Sequence, residues 1–308
     1  MNLISRSRRA FWTYRQPLTK HPKRKNAPIS DLFLWRRGLE WKTFFDLTDI
    51  GALFLETEDI GKSDTFVSGS FEQYPSQNPT TDPESTVKIM LFNQSGQKFT
   101  EHDFLLLPFK RQQVAISDLA KDCEDDIGTF CVLHTETPRV IRQLGSNLAE
   151  RGYVSYCYKN SPVRAYVHGN LDAVSTEESG QIERLGGSSI LPRQYLLQHL
   201  LKETGFYELA VVNTTETRQE IVCDILVAST TSLKIEQNIS QIQDGLTTQT
   251  PLYAENSIQH VDLKAGACHL FRVEAAGLPL RAVFKSHLVM ARPVVFYVNN
   301  NQMDVFHG

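Results

Sequence analysis

The sequence of 308 residues has no apolar run near the ~18 residues that a membrane-crossing helix needs. It has no Walker P-loop, no GxGxxG, no GxSxG and no HExxH. Those absences remove the common phosphate-cradling loop, the nucleophile elbow and the helical zinc site as starting points for a function. His-x-His occurs nowhere, and His260 and His269 are separated by eight residues. A cupin-type metal site, which takes two histidines one residue apart on a strand, is therefore not written here, and neither a metal nor a cofactor is expected. The five cysteines, at 123, 131, 157, 223 and 268, form no CxxC pair. An odd, scattered set reads as reduced thiols rather than as a disulfide framework or a zinc cluster. The N-terminal "SRRAFW" resembles the start of a twin-arginine signal, but "TYRQPLTKHPKRKNAP" follows where an apolar segment is required. Export is rejected on that ground, and a cytoplasmic location is expected.

What is present is ordinary globular material. The chain is 41% hydrophobic and 10% aromatic, enough for a sizeable core. A length of 308 fits two domains better than one. Net charge is only −3, yet residues 1–38 hold ten Lys and Arg against the single acid Asp31. The remaining 22 basic and 34 acidic residues make the body acidic. Nucleic acid could be met only through the basic tail, where "KHPKRK" has Trp12, Tyr14 and Trp35 nearby.

From residue 44 onward, short β-branched and aromatic runs punctuated by Gly, Pro, Asn or Ser dominate: "TVKIMLFN", "TFCVLH", "YVSYCY", "FYELAVVN", "IVCDILVA", "RAVFKSHLV", "PVVFYV". Some recur in order. "TVKIMLFN" (86–93) matches "FYELAVVN" (206–213), "VAISDL" (114–119) matches "IQHVDL" (258–263), and "SPVRAYVHG" (161–169) matches "LPLRAVFKS" (278–286). The pattern predicts an all-β chain of two tandem antiparallel β-sandwiches, jelly-roll-like, behind a basic tail. The expected bounds are a tail at 1–30, a first domain at 31–174, a linker at 175–189 and a second domain at 190–308. Polar stretches at 56–85 and 175–189 read as loop and linker, while 192–205 suits helix or strand equally.

"SPVRAYVHGNLDAV", with Pro162, Val163, Val167, Leu171 and Asp172, resembles the sensory rhodopsin transducer family of small β-sandwich proteins. The second half resembles it through "YELAVVN", "IQHVDL" and "LPLRAVFKSHL". The resemblance covers most of 45–298, in two copies where that family has one. The loop at 56–85, the insertion at 135–160 and the basic tail depart from it. It implies a non-enzymatic oligomer with a signalling or ligand-binding role, and it carries over no catalytic residue.

Read as a strand, "RAYVH" sends Arg164, Tyr166 and His168 to one face and Ala165 and Val167 to the core. Arg164, Tyr166, His168, Asn170, Asp172 and the nearby Tyr156 are the candidate ligand-binding residues. Aromatic faces beside Arg, His and Asn suit a sugar ring or a protein partner. The expected function is therefore a binding or regulatory protein that forms a homo-oligomer and recognises a glycan or a protein. The alternative is an enzyme acting on a sugar or nucleotide-sugar through His168 and Asp172. Such a pair would need a cleft and a nucleophile or metal, neither of which is visible in sequence.

Overall fold

The computed structural model describes residues 29–37, 40–48, 85–106, 111–134, 153–159, 161–168, 170–176, 182–227, 258–277, 279–289, 292–300 and 302–308. The expected basic tail through residue 28, the polar loop at 56–84 and the insertion from 135 to 152 fall outside them. The first strands are β1 (Ile29–Arg36), β2 (Trp41–Thr48), β3 (Ser85–Phe92), β4 (Lys98–Leu106) and β5 (Arg111–Ala115). A single helical turn, α1 (Ile116–Leu119), leads to β6 (Ile127–His134), β7 (Tyr153–Tyr158), β8 (Ala165–His168), β9 (Asn170–Thr176) and β10 (Ile182–Arg184). The second half holds β11 (Ser188–Leu196), β12 (Gly205–Val212), β13 (Gln219–Val227) and β14 (Ile258–Leu263). It closes with β15 (Cys268–Ala275), β16 (Leu280–Leu288), β17 (Val294–Asn299) and β18 (Gln302–His307).

Period-two patterning builds these strands. In β2, Trp41, Thr43, Phe45 and Leu47 are buried while Lys42 is exposed and Phe44 and Asp46 are half-buried. The segment left open between helix and strand, 192–205, continues β11 to Leu196 and then crosses irregularly to β12.

The strands form four antiparallel sheets: blade I, β10-β9-β1-β6-β3-β4; blade II, β5-β2-β7-β8; blade III, β11-β16-β13-β14; and blade IV, β15-β12-β17-β18. They are arranged as a four-bladed β-propeller, which corrects the expectation of two tandem jelly-roll-like sandwiches. The physical reason lies in the packing. Two tandem sandwiches would each close around a core of their own, whereas one apolar cluster here joins Phe33, Phe45, Phe130 and Tyr156 to Ala210, Cys268, Val294, Phe296 and Val305. Blade IV is therefore buried on both faces, since Tyr207, Leu209 and Val211 pack with blade III.

The strand orders repeat. With β9 and β10 set aside, β1-β6-β3-β4 and β5-β2-β7-β8 reappear as β11-β16-β13-β14 and β15-β12-β17-β18. Each strand corresponds to the one ten places later. The segment matches read from sequence paired the wrong strands: "TVKIMLFN" is β3, whose counterpart is β13, while "FYELAVVN" is β12, the counterpart of β2. Likewise "RAYVH" leads into β8, whose counterpart is β18, and "RAVFKSHL" lies in β16, the counterpart of β6. Residues 175–189, expected as a linker, carry the end of β9, all of β10 and the start of β11. Among the described residues of this stretch β10 pairs with β9, and Arg184 reaches both the Gly96 carbonyl and Glu216.

Two turns lock the halves together. The Cys268 amide donates to the Gln94 carbonyl at 3.0 Å. Gly96 has φ +80°, and a Cβ there would come within 2.5 Å of the Ala265 carbonyl oxygen, so only glycine fits. Deeper in, Arg36 of β1 lies between the rings of Trp41 and Phe296, 5.7 and 5.4 Å from their centroids. Its Nη1 is 2.9 Å from Glu208 Oε2, and Glu208 Oε1 accepts from Arg272 Nε at 3.2 Å. Burial pulls the Arg36 pKa below its ordinary value, and the Glu208 charge opposes that pull.

Removing only the counter-charge should therefore be costly. Glu208→Gln leaves a buried guanidinium uncompensated and should lower unfolding free energy by about 3–5 kcal/mol, whereas Arg36→Met with Glu208→Leu should recover most of it. Urea denaturation of the single and double variants checks this, and equal losses in both would show that the pair is only spatially adjacent.

Candidate functional site

The stretch "SPVRAYVHGNLDAV" does not form one stripe. β8 ends at His168 in blade II and β9 begins at Asn170 in blade I. Position 168 lies opposite Tyr153, and position 170 lies opposite Leu32. Arg164 and Tyr166 therefore share blade II with position 168, while Asn170 and Asp172 belong to another sheet. The side chains of His168, Asn170 and Asp172 lie outside the described ones.

What blade II does assemble is a face. Its inner side carries Phe45, Val114, Val154, Tyr156 and Val167 into the core. Its outer side carries the alternate positions. Ala115, Phe44, Ser155 and Tyr166 form one cross-strand row, and Gln113, Asp46 and Tyr153 form the next, ending at position 168. Tyr153 and Tyr166 are 54% and 55% exposed, on diagonal positions close enough for both rings to meet one ligand. The Arg164 guanidinium lies 3.9 Å from the Phe44 ring centroid. Among the described residues it has no ion-pair or hydrogen-bond partner, so its donors remain open. Ser155 is fully buried between Phe44 and Tyr166, and its Oγ has no hydrogen-bond partner. On the far margin Gln113 donates to Asp46 at 2.9 Å, leaving directional polar groups beside the rings.

Tyr156, grouped with the candidates by its nearness in sequence, is core. It is fully buried, its ring meets Phe296 edge-on at 4.9 Å, and its hydroxyl donates to the Leu34 carbonyl at 2.8 Å. Burial pushes its pKa up from the ordinary tyrosine value. It cannot reach a ligand without unfolding blade II.

A cleft of about 710 Å³ opens where Ser161 and Val163, ahead of β8, approach the end of the second half. Its wall includes His199, Glu203, Asp304 and the tilted pair Tyr207 and Tyr297, whose centroids are 4.7 Å apart. The Tyr207 hydroxyl accepts from the Glu203 amide, and the Tyr297 hydroxyl donates to the Thr204 carbonyl. Sequence reading missed these residues. Each sits in an ordinary apolar strand or its flank, and only the meeting of the β11–β12 and β17–β18 connections brings them together.

All five cysteines are free and buried. Burial pushes the thiols of Cys131, Cys223 and Cys268 up to about 12, so none of these three is poised as a nucleophile. Among the described residues there is no group of three or more His, Cys, Asp or Glu placed to hold a metal, and no helix long and apolar enough to cross a membrane. No family model, no curated protein and no solved structure matches the chain.

The two sides of blade II should respond differently to substitution. Tyr166→Thr should change stability by no more than about 0.5 kcal/mol. Val167→Asp, one residue on, places an unpaired charge in the core and should unfold the protein at ordinary temperature. Thermal denaturation followed by circular dichroism distinguishes them, and a large loss with Tyr166→Thr would mean that the ring packs instead of facing solvent.

Proposed function

We propose that the chain is a non-enzymatic recognition protein and that the outer face of blade II is where its partner binds. The observation that carries this reading is the fate of the corresponding face in the second half. In blade IV, the counterpart of blade II, the side turned away from blade III carries Glu208, Val294, Phe296 and Val305 and is sealed against the first half. One copy of this face thus already serves as a protein-docking surface within the chain. The other copy presents exposed Tyr153 and Tyr166 and Arg164, which lies over Phe44 and has no ion-pair partner among the described residues. Rigid aromatics around an open guanidinium are the composition of an interface centre. In blade IV the Glu208 carboxylate meets Arg36 of the docked unit, whereas on the corresponding face of blade II Arg164 lies over Phe44 with no ion-pair partner among the described residues. A complementary partner would therefore bring a carboxylate.

This role agrees with what the resemblance to the sensory rhodopsin transducer family implies. The enzyme alternative gains no support from strand placement, because His168 and Asp172 lie on different blades. A second ligand class has one observation in its favour. Tyr153 and Tyr166 beside the Asp46–Gln113 pair offer stacking and hydrogen bonding to a sugar ring.

A photoreactive phenylalanine analogue at position 166, with position 258 on β14 as the exposed control, tests the reading. Irradiation in cells should give discrete protein adducts at 166 and not at 258, and Arg164→Glu should abolish them. Equal adducts at both positions, or none at either, would sink it. Binding to defined oligosaccharides on an array, lost in Tyr166→Thr, would instead assign the face to a glycan.

A further inference from the structure

We infer that the open edge of β11 in blade III takes up an extended, acidic segment of a partner protein as an added strand. This edge is separate from the outer face of blade II and stands whether or not that face binds. The starting point is an asymmetry in the repeat. β1 and β11 are counterparts, each hydrogen-bonded on one side to its own neighbour, β6 or β16. On its other edge β1 carries β9, which pairs with Ile29, Ser30 and Leu32, and β10 follows beyond it. Among the described residues β11 carries no strand on that edge. Burial follows the difference. β1 is buried without a break from Ser30 to Arg36, whereas β11 is exposed over most of its length. Ile190 and Leu191 lie near its start, the part of the strand that β9 covers on β1, and they are 96% and 72% exposed.

The edge has main-chain groups to offer. The Leu197 amide donates to the Ala282 carbonyl at 2.9 Å, and the register sets Leu196 against Val283 and Gln194 against Lys285. Antiparallel bonding alternates, so Arg193 and Tyr195 bond toward β16 while Gln194 and Leu196 turn their N–H and C=O outward. Pro192 falls in the outward set, where a strand edge tolerates a residue without an N–H. The register of β11 shifts between Ser188 and Arg193, and such an irregularity blunts an edge against indiscriminate pairing. It does not bar a strand, since β9 pairs with β1 across a shift between Ser30 and Leu32.

Charge names the occupant. β11 and β16, SSILPRQYL and LRAVFKSHL, contain no acidic residue. Arg193 and Lys285 are exposed and have no ion-pair partner among the described residues, and Arg193 reaches the Val289 carbonyl at 3.4 Å. The first carboxylates across the sheet, Glu220 and Asp224, stand on β13 beyond β16, and Glu220 faces His260. A second copy offering its own β11 would set these cations against one another. A strand with carboxylates for Arg193 and Lys285 and aliphatic side chains for Ile190 and Leu191 meets the edge on both counts. Its main-chain bonds supply affinity and its alternate side chains supply specificity.

Selection of a displayed library of random nonapeptides on the full chain is the test. Enriched peptides should mix β-branched and acidic residues, and synthetic copies should slow hydrogen exchange at the Gln194 and Leu196 amides. Their binding, followed by fluorescence anisotropy, should weaken about tenfold or more with Gln194→Pro, which removes an outward N–H. Arg193→Glu with Lys285→Glu should weaken it as much. Both of those positions are exposed, so the charge-reversed protein carries the test if Gln194→Pro fails to fold. Enriched peptides without acids, or no enrichment at all, would overturn the inference. So would peptides whose binding survives both β11 variants and is lost in Tyr166→Thr, which would belong to blade II. A wild-type dimer in sedimentation velocity that Gln194→Pro dissociates would also overturn it, by making a second copy the occupant.

Discussion

The structure depends on how one buried arginine is held. Arg36 comes from the first half, yet the groups that make its burial tolerable lie largely in the second. A guanidinium taken out of water loses a solvation energy that a single contact rarely restores. Here the Glu208 carboxylate supplies opposite charge and the faces of Trp41 and Phe296 supply the negative side of their quadrupoles. Nε and Nη1 of Arg36 nevertheless make no aligned hydrogen bond, so the arrangement relies on charge and ring faces instead of donor geometry. Glu208 is also held by Arg272 of the neighbouring strand β15, so the anion has a partner within its own blade. The receiving face is in this sense prepared by its own blade, and the two halves associate onto it.

The repeated strand order gives the molecule two versions of one surface with opposite chemistry. On blade IV the outer positions are filled by Val294, Phe296 and Val305, which suit permanent burial. On blade II the same strands place Tyr153, Ser155 and Tyr166 there. Tyrosine can be left in water at little cost and still offers a large ring to a partner. One face is sealed and the other is kept soluble, and the difference lies in a handful of side chains on an unchanged backbone plan.

Much of the strand content was legible because β-branched and aromatic runs between turn residues have few other readings. The inner and outer sides of β8 follow from alternation alone, with Val167 inward and Tyr166 outward. The pairing of segments between the halves was not legible. Alternation makes "TVKIMLFN" resemble any other buried strand, and the true counterpart, "QEIVCDILV", shares pattern without sharing landmarks. Nor could the sequence reveal that the chain changes blade between His168 and Asn170, because a sheet switch and a tight turn use the same Gly-Asn signal. Tyr156 was misjudged for a related reason. Nearness to Tyr153 and Tyr158 in sequence says nothing about the side of the strand on which a ring lies. The cleft residues carried no local signal, since tertiary packing alone collects them.

The five sequestered thiols make the chain a reporter on its own opening. Three, Cys123, Cys131 and Cys157, belong to the first half and two, Cys223 and Cys268, to the second. A cysteine held in such surroundings reacts with an alkylating reagent only in the fraction of time its strand is released. Alkylation mapped by mass spectrometry would therefore time the exposure of each region without any engineered probe. Cys268 is the most telling of the set, since its own amide carries the bond to Gln94 across the halves. If it were modified together with Cys131, the junction and the first core would come apart as one cooperative unit. If it were modified ahead of Cys131, the halves would part while blade I still stood.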